Sequence, residues 1–145
     1  MPRFAQGKYN LKNPAKYVGT KTPTYRSGWE FHFMKFCDEH PAIAQWASEA
    51  VRIPYRHPFT GKHTVYVPDF FIVYNDKGGR QRVELIEVKP KNQTLKEKTG
   101  RSKTNQAHWI VNQAKWESAR AWCKQKGILF RIVTEDDIFH TGSRR

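Results

Sequence analysis

Asp69, Glu87 and Lys89 are the residues whose types and spacing point most directly to chemistry. Pro68-Asp69 is followed, after 17 intervening residues, by Glu87-Val88-Lys89. They sit within a strand-like run over 64–74 and another over 80–90, joined by a turn reading Asn75-Asp76-Lys77-Gly78-Gly79. Two such runs around a Gly-rich turn predict a β-hairpin with one carboxylate on each strand. Side chains alternate along a strand, so Glu87 and Lys89 share a face. Two carboxylates and an ammonium gathered on apolar strands suit a hard divalent cation beside a water that is to be activated. Ligation by oxygen alone favours Mg2+ or Mn2+ over zinc.

A surface hairpin with a simple Glu–Lys ion pair is the plain alternative. Residues 83–88, however, carry apolar side chains on both faces, the pattern of a strand covered on both sides. A charge in such a strand is costly unless paired or bound to metal. The Pro-Asp across the hairpin supplies a second carboxylate, and the catalytic reading is preferred.

The elements that must hold these groups follow from periodicity and punctuation. A first helix is predicted over 27–40, with Trp29, Phe33, Phe36 and Cys37 at helical spacing and Pro41 ending it. Residues 42–48 read as a further short turn of helix. Strands are predicted at about 50–56, 64–74 and 81–89, and a basic loop at 90–103. A long helix over about 104–126 closes on Gly127; a last strand covers 128–133, and 136–140 start a small helix. The predicted fold class is therefore α/β, one domain with an αβββαβ core. Residues 1–24 mix Lys, Asn, Pro and Gly without a period and read as a basic N-terminal arm, with 25–145 as the domain proper.

Composition agrees with a nucleic-acid partner. The 145 residues suffice for one core. Twenty-six Lys and Arg against 13 Asp and Glu leave a net charge of +13, which asks for a polyanion, nucleic acid being the commonest. A membrane surface competes, but there is no 18-residue apolar run and no signal-peptide pattern. Cys37 and Cys123 are single and far apart, as reduced buried thiols are, which argues against zinc. His57 and His63 flank a turn and are read as exposed hairpin residues in preference to metal ligands. Lys91, Lys96, Lys98, Arg101 and Lys103 follow the active-site strand against Glu97 alone. They are predicted to grip backbone phosphates and so position DNA without reading its sequence.

Asp69 and Glu87-x-Lys89 on a hairpin resemble the PD-(D/E)xK nuclease superfamily, which has the restriction-endonuclease-like fold with a mixed central sheet. A longer set of matches is more specific: Tyr25-Arg26-Ser27 with Trp29-Glu30, Ser48-Glu49 with Ile53-Pro54-Tyr55, Lys89-Pro90-Lys91, and Phe130-Arg131-Ile132 with Thr134-Glu135-Asp136. Together these resemble the head completion nucleases of T-even-like tailed phages over most of the chain, most weakly at 92–108. Transposon-encoded end-cleaving endonucleases share a looser version.

The resemblance implies roles. Asp69 and Glu87 ligate Mg2+, or Mn2+ in its place, with the Val88 carbonyl and waters completing the shell, and Lys89 orients and helps activate the attacking water. A first-helix Glu at the position of Glu30 approaches the metal site in these families, where a second metal is an option. Ser27-x-x-Glu30 is equally a capping box, and Glu30 serves the metal only if it does not fold back as a cap. Lys115 on the long helix faces the site in similar nucleases. Glu49 reads as half of an ion pair and Glu135 as an acidic complement to a helix dipole; neither joins the catalytic set.

The implied function is Mg2+-dependent endonucleolytic hydrolysis of DNA phosphodiesters, in phage head completion or the processing of packaged DNA ends. Head or neck proteins are implied partners, with no membrane, in the host cytoplasm or on the virion. A transposon or repair endonuclease of the same fold stays open as an alternative, as does a non-enzymatic DNA-binding head or neck protein. A basic RNA-binding structural protein leaves the acidic pair unexplained.

Overall fold

In chain order the elements are β1 (Gly7–Lys8), β2 (Thr24–Tyr25), α1 (Gly28–Glu39), β3 (Ile43–Ser48), β4 (Ile53–Arg56), β5 (His63–Tyr66), β6 (Phe70–Asn75), β7 (Gln81–Val88), α2 (Lys103–Lys126) and β8 (Leu129–Val133). They come from a computed structural model that describes residues 6–95 and 99–137. The expected hairpin is β6–β7, paired antiparallel from Phe70–Ile86 to Asn75–Gln81. It forms the middle of a mixed sheet of order β3-β6-β7-β8, in which β8 alone runs parallel to its neighbour.

Each face of this sheet is covered by one helix. On one side Phe33, Met34 and Cys37 of α1 pack against Ile43, Trp46, Phe70, Ile72, Ile86 and Val88. On the other, Trp116, Ala119 and Cys123 of α2 pack against Leu85. β7 is buried from Glu84 to Val88 because alternate side chains meet alternate helices. The domain is a single α/β unit whose core order, α1, β3, β6, β7, α2, β8, is the expected αβββαβ. Gly127 ends α2 at φ 72°, a left-handed conformation that Gly adopts without strain.

Three expectations need correction. Residues 42–48 form a strand, not a turn of helix: β3 pairs with β6 and buries Ile43, Trp46, Ala47 and Ser48. Pairing and burial override the helix preference of Ala and Gln. The run at 50–56 is not a core strand, because β4 pairs with β5 in a separate two-stranded ribbon. The run at 64–74 is two strands, broken at residues 67–69, where Pro68 has no N–H to continue a ladder.

The basic N-terminal segment is tied down over its described residues. Asp38 of α1 is fully buried, and its carboxylate accepts hydrogen bonds from the Tyr9 hydroxyl (2.9 Å) and from the backbone amides of Lys12 (2.8 Å) and Asn13 (3.0 Å). The Lys16 ammonium donates to the carbonyls of Asp38 and His40. Tyr17 stacks edge-on against the buried Trp46 at 4.8 Å.

Candidate active site

The break before β6 sets Asp69 beside the end of β7. Its Oδ2 accepts a hydrogen bond from the Val88 amide at 2.8 Å. Glu87, 7% exposed, accepts at Oε1 from the Tyr66 hydroxyl at 2.7 Å and faces the Lys89 ammonium with Oε2 at 3.8 Å. Each carboxylate thus has one oxygen fixed by the fold. The electrostatic cost is visible in both. Burial, then the charges of Glu87 and Glu30, push Asp69 well above the usual carboxylate range. Burial also raises Glu87, against the opposing pulls of Tyr66, Lys89 and Lys115.

A second layer orients these groups, and most of it was not legible in the sequence. Tyr66, at the end of β5, holds Glu87, and the Lys115 ammonium lies 5.7 Å above the Tyr66 ring. The only forewarning was a tyrosine in an apolar strand, whose buried hydroxyl must find a partner. Glu49 stands in left-handed backbone at φ 52° and its amide donates to the Asp69 carbonyl at 2.9 Å. Its carboxylate is paired with Arg26 and with Lys21, the ion pair that the sequence suggested.

Glu30 folds back as a cap, the condition under which it was not expected to serve the metal. Ser27 Oγ accepts from the Glu30 amide at 3.1 Å, and Glu30 Oε1 folds back to accept from the Arg26 amide at 2.8 Å. The return bond goes one residue before the N-cap, so the box is offset. The same carboxylate still acts on Asp69 by its charge and is itself raised chiefly by burial. Among the described residues no three His, Cys, Asp or Glu side chains gather as a metal-binding cluster. Asp69 and Glu87 therefore stand as a pair, with Glu30 adjacent.

Two comparisons bear on this arrangement. The family model described as TnsA-like endonuclease N terminal matches residues 40–135, which include Asp69, Glu87 and Lys89. The head completion nuclease of Enterobacteria phage T4 is 37% identical over 142 residues, spanning 91% of this chain and 92% of the relative. The chain belongs to the TnsA-like endonuclease family. Lys115 and Tyr66 lie inside the matched span of this family too, as does the whole β6–β7 hairpin.

In this TnsA-like endonuclease the basic residues after β7 are not equally available. Lys91 is paired with Asp136 at 3.1 Å, and its amide donates to Glu135 at 2.8 Å. The Lys91–Asp136 pair is exposed on both sides and therefore weak enough to exchange for a phosphate. Glu135 stands at the start of the helical residues 135–137, where an acidic group was expected, and in addition pins the start of the loop through the Lys91 amide. Arg101 and Lys103 are exposed, whereas Lys96 and Lys98 lie outside the described residues. Among the described residues no helix is long and apolar enough to cross a membrane.

Proposed function

We propose that this protein is a Mg2+-dependent DNA endonuclease that hydrolyses phosphodiester bonds during phage head completion, in the processing of packaged DNA ends. The observation that carries the reading is the enclosed Asp69–Glu87 pair beside Lys89. Burial raises both carboxylates even though Lys89, at 3.8 Å from Glu87, and Lys115 pull the other way, so the nearby ammonium groups offset only part of the cost of two like charges. Mg2+ is commonly held by one or two carboxylates and keeps several waters, so a two-carboxylate site suits it without a third acidic ligand. Asp69, Glu87 and the Val88 carbonyl are the oxygen donors that would hold it; Mn2+ fits the same set. When bound, the ion supplies Lewis-acid polarisation of the scissile phosphate and a more acidic water.

The chain's own residues do the rest. The Val88 amide and the Tyr66 hydroxyl lock the carboxylates in place before substrate arrives. The Lys89 ammonium orients the attacking water and stabilises negative charge developing on phosphorus-bound oxygens. Water forms the new P–O bond as the bond to the leaving sugar oxygen breaks. The relative from phage T4, alike over nearly its full length, supports the head-completion setting; the family match supports a transposon-end nuclease as the second reading. Cleavage of linear, nicked, branched and single-stranded DNA with Mg2+ tests both. Asp69→Ala and Glu87→Ala should abolish cutting in folded protein, and Lys89→Ala should lose turnover while calorimetry still detects Mg2+. Wild-type rates in Asp69→Ala would refute the assignment.

A further inference from the structure

We propose that the β4–β5 ribbon is a DNA wedge: Phe59 at its tip inserts into the base stack of the duplex while the ribbon's cations hold the flanking phosphates. This rests on the reading of the protein as a DNA endonuclease and adds a second contact, away from the acidic pair. Residues 50–68 contain no Asp or Glu but do contain Arg52, Arg56 and Lys62. All three are exposed, and none is paired with a carboxylate among the described residues. Such a segment is complementary to a polyanion. A protein partner would need an acidic surface with an apolar pocket; DNA offers phosphates and stacked bases in one repeating geometry.

Phe59 is 58% exposed, the most of any large hydrophobic side chain among the described residues. The tip that carries it is built to hold it out. His57 Nδ1 accepts from the amides of Phe59 (3.2 Å) and Thr60 (3.4 Å), the Gly61 amide donates to the His57 carbonyl (2.8 Å), and Arg56 Nε donates to the Gly61 carbonyl (3.1 Å). Gly61 supplies the left-handed residue the turn needs, at φ 71°. These bonds fix the backbone of the tip, and the Phe59 ring leans on the His57 ring with centroids 6.0 Å apart while staying mostly exposed. Two-stranded ribbons enter DNA grooves, and Phe is among the side chains that wedge between base steps.

The ribbon is also coupled to the chemistry. Its inner face, Ile53, Tyr55 and Tyr66, packs against α2, and Tyr66 holds Glu87. With a strand rise of about 3.4 Å per residue, the tip stands roughly 15 Å from Tyr66.

The test uses the full chain in EDTA, with duplexes carrying 2-aminopurine at successive steps. Wild-type protein should raise the fluorescence at one or two adjacent positions, which Phe59→Ala abolishes and Phe59→Leu partly restores. Anisotropy should show affinity falling roughly tenfold in Phe59→Ala. Phe59 is outside both cores, so circular dichroism should be unchanged. Duplex binding with no fluorescence rise, or with equal affinity in Phe59→Ala, would overturn the wedge and leave the nuclease assignment standing. No duplex binding by wild-type protein would likewise overturn the wedge, whereas the nuclease assignment falls only if Mg2+-dependent cleavage also fails.

Discussion

Asp69 and Glu87 are raised carboxylates, and that has a measurable sign. A group whose folded pKa lies above its unfolded value favours folding fully below the unfolded value, and that contribution is lost as pH rises through the folded one. For Asp69 and Glu87 the loss begins above the ordinary values of 3.8 and 4.5. Glu49 and Asp76, held low by Arg26 and Arg82, act in the opposite direction, so the comparison must be made between variants. In metal-free buffer, Asp69→Asn should gain stability relative to wild type as pH rises through this window. The difference grows by at most about 1.4 kcal/mol per pH unit. Mg2+ should stabilise wild type at the upper end and do little for Asp69→Asn. Parallel denaturation midpoints across pH would show that the pair carries no such deficit.

The elements place these residues by different means. The β6–β7 hairpin is local, whereas the N-terminal segment is held from a distance, with three of its groups meeting at the one buried carboxylate of Asp38. Asp38→Ala leaves the Tyr9 hydroxyl and the Lys12 and Asn13 amides without their acceptor. Losing hydrogen bonds to a charged, buried acceptor should cost on the order of 3 kcal/mol in urea unfolding. Asp38→Asn should cost nearly as much, because its NH2 group would face an N–H or O–H donor. A loss below about 0.5 kcal/mol, the range of ordinary surface substitutions, would mean that the segment is held by its aromatic contacts alone. Trp46, against Tyr17 and Tyr9, would then be the anchor.

Across the molecule the net charge of +13 is unevenly usable. Lys12 pairs with Glu39, Lys16 is spent on backbone carbonyls, and Lys21 pairs with Glu49, so much of the N-terminal basic charge serves the fold. We propose the loop after β7 as a phosphate-binding surface, because it starts at Lys89 and its exposed Arg101 and Lys103 lead into α2. Affinity for duplex DNA should fall steeply with salt and depend weakly on sequence, with a slope of about −0.9 per phosphate contact. Replacing Lys96, Lys98, Arg101 and Lys103 together with Ala should flatten that slope by up to roughly three or four units. Anisotropy across a salt series reads it, and an unchanged slope would put the DNA path elsewhere, on the ribbon first.

What could be read from the chain alone was whatever depends on near neighbours in sequence. The alternation that makes β7, the Gly-rich turn before it, the spacing of α1 and α2 and the Gly127 stop rest on periodicity within a few residues, and the Asp69/Glu87/Lys89 pattern was legible because one local hairpin joins its halves. Tertiary structure decided what depends on distant partners. Residues 43–48 become a strand because β6 offers them a ladder, and 53–56 leave the central sheet because β5 takes their hydrogen bonds. Glu30 is both cap and neighbour of Asp69 because the start of α1 is carried to the end of β7. Tyr66 gains its role only when β5 returns beside Glu87, 21 residues on in sequence. A side chain's type limits the bonds it can make, but which of them it makes is settled by the groups that folding brings within about 3 Å.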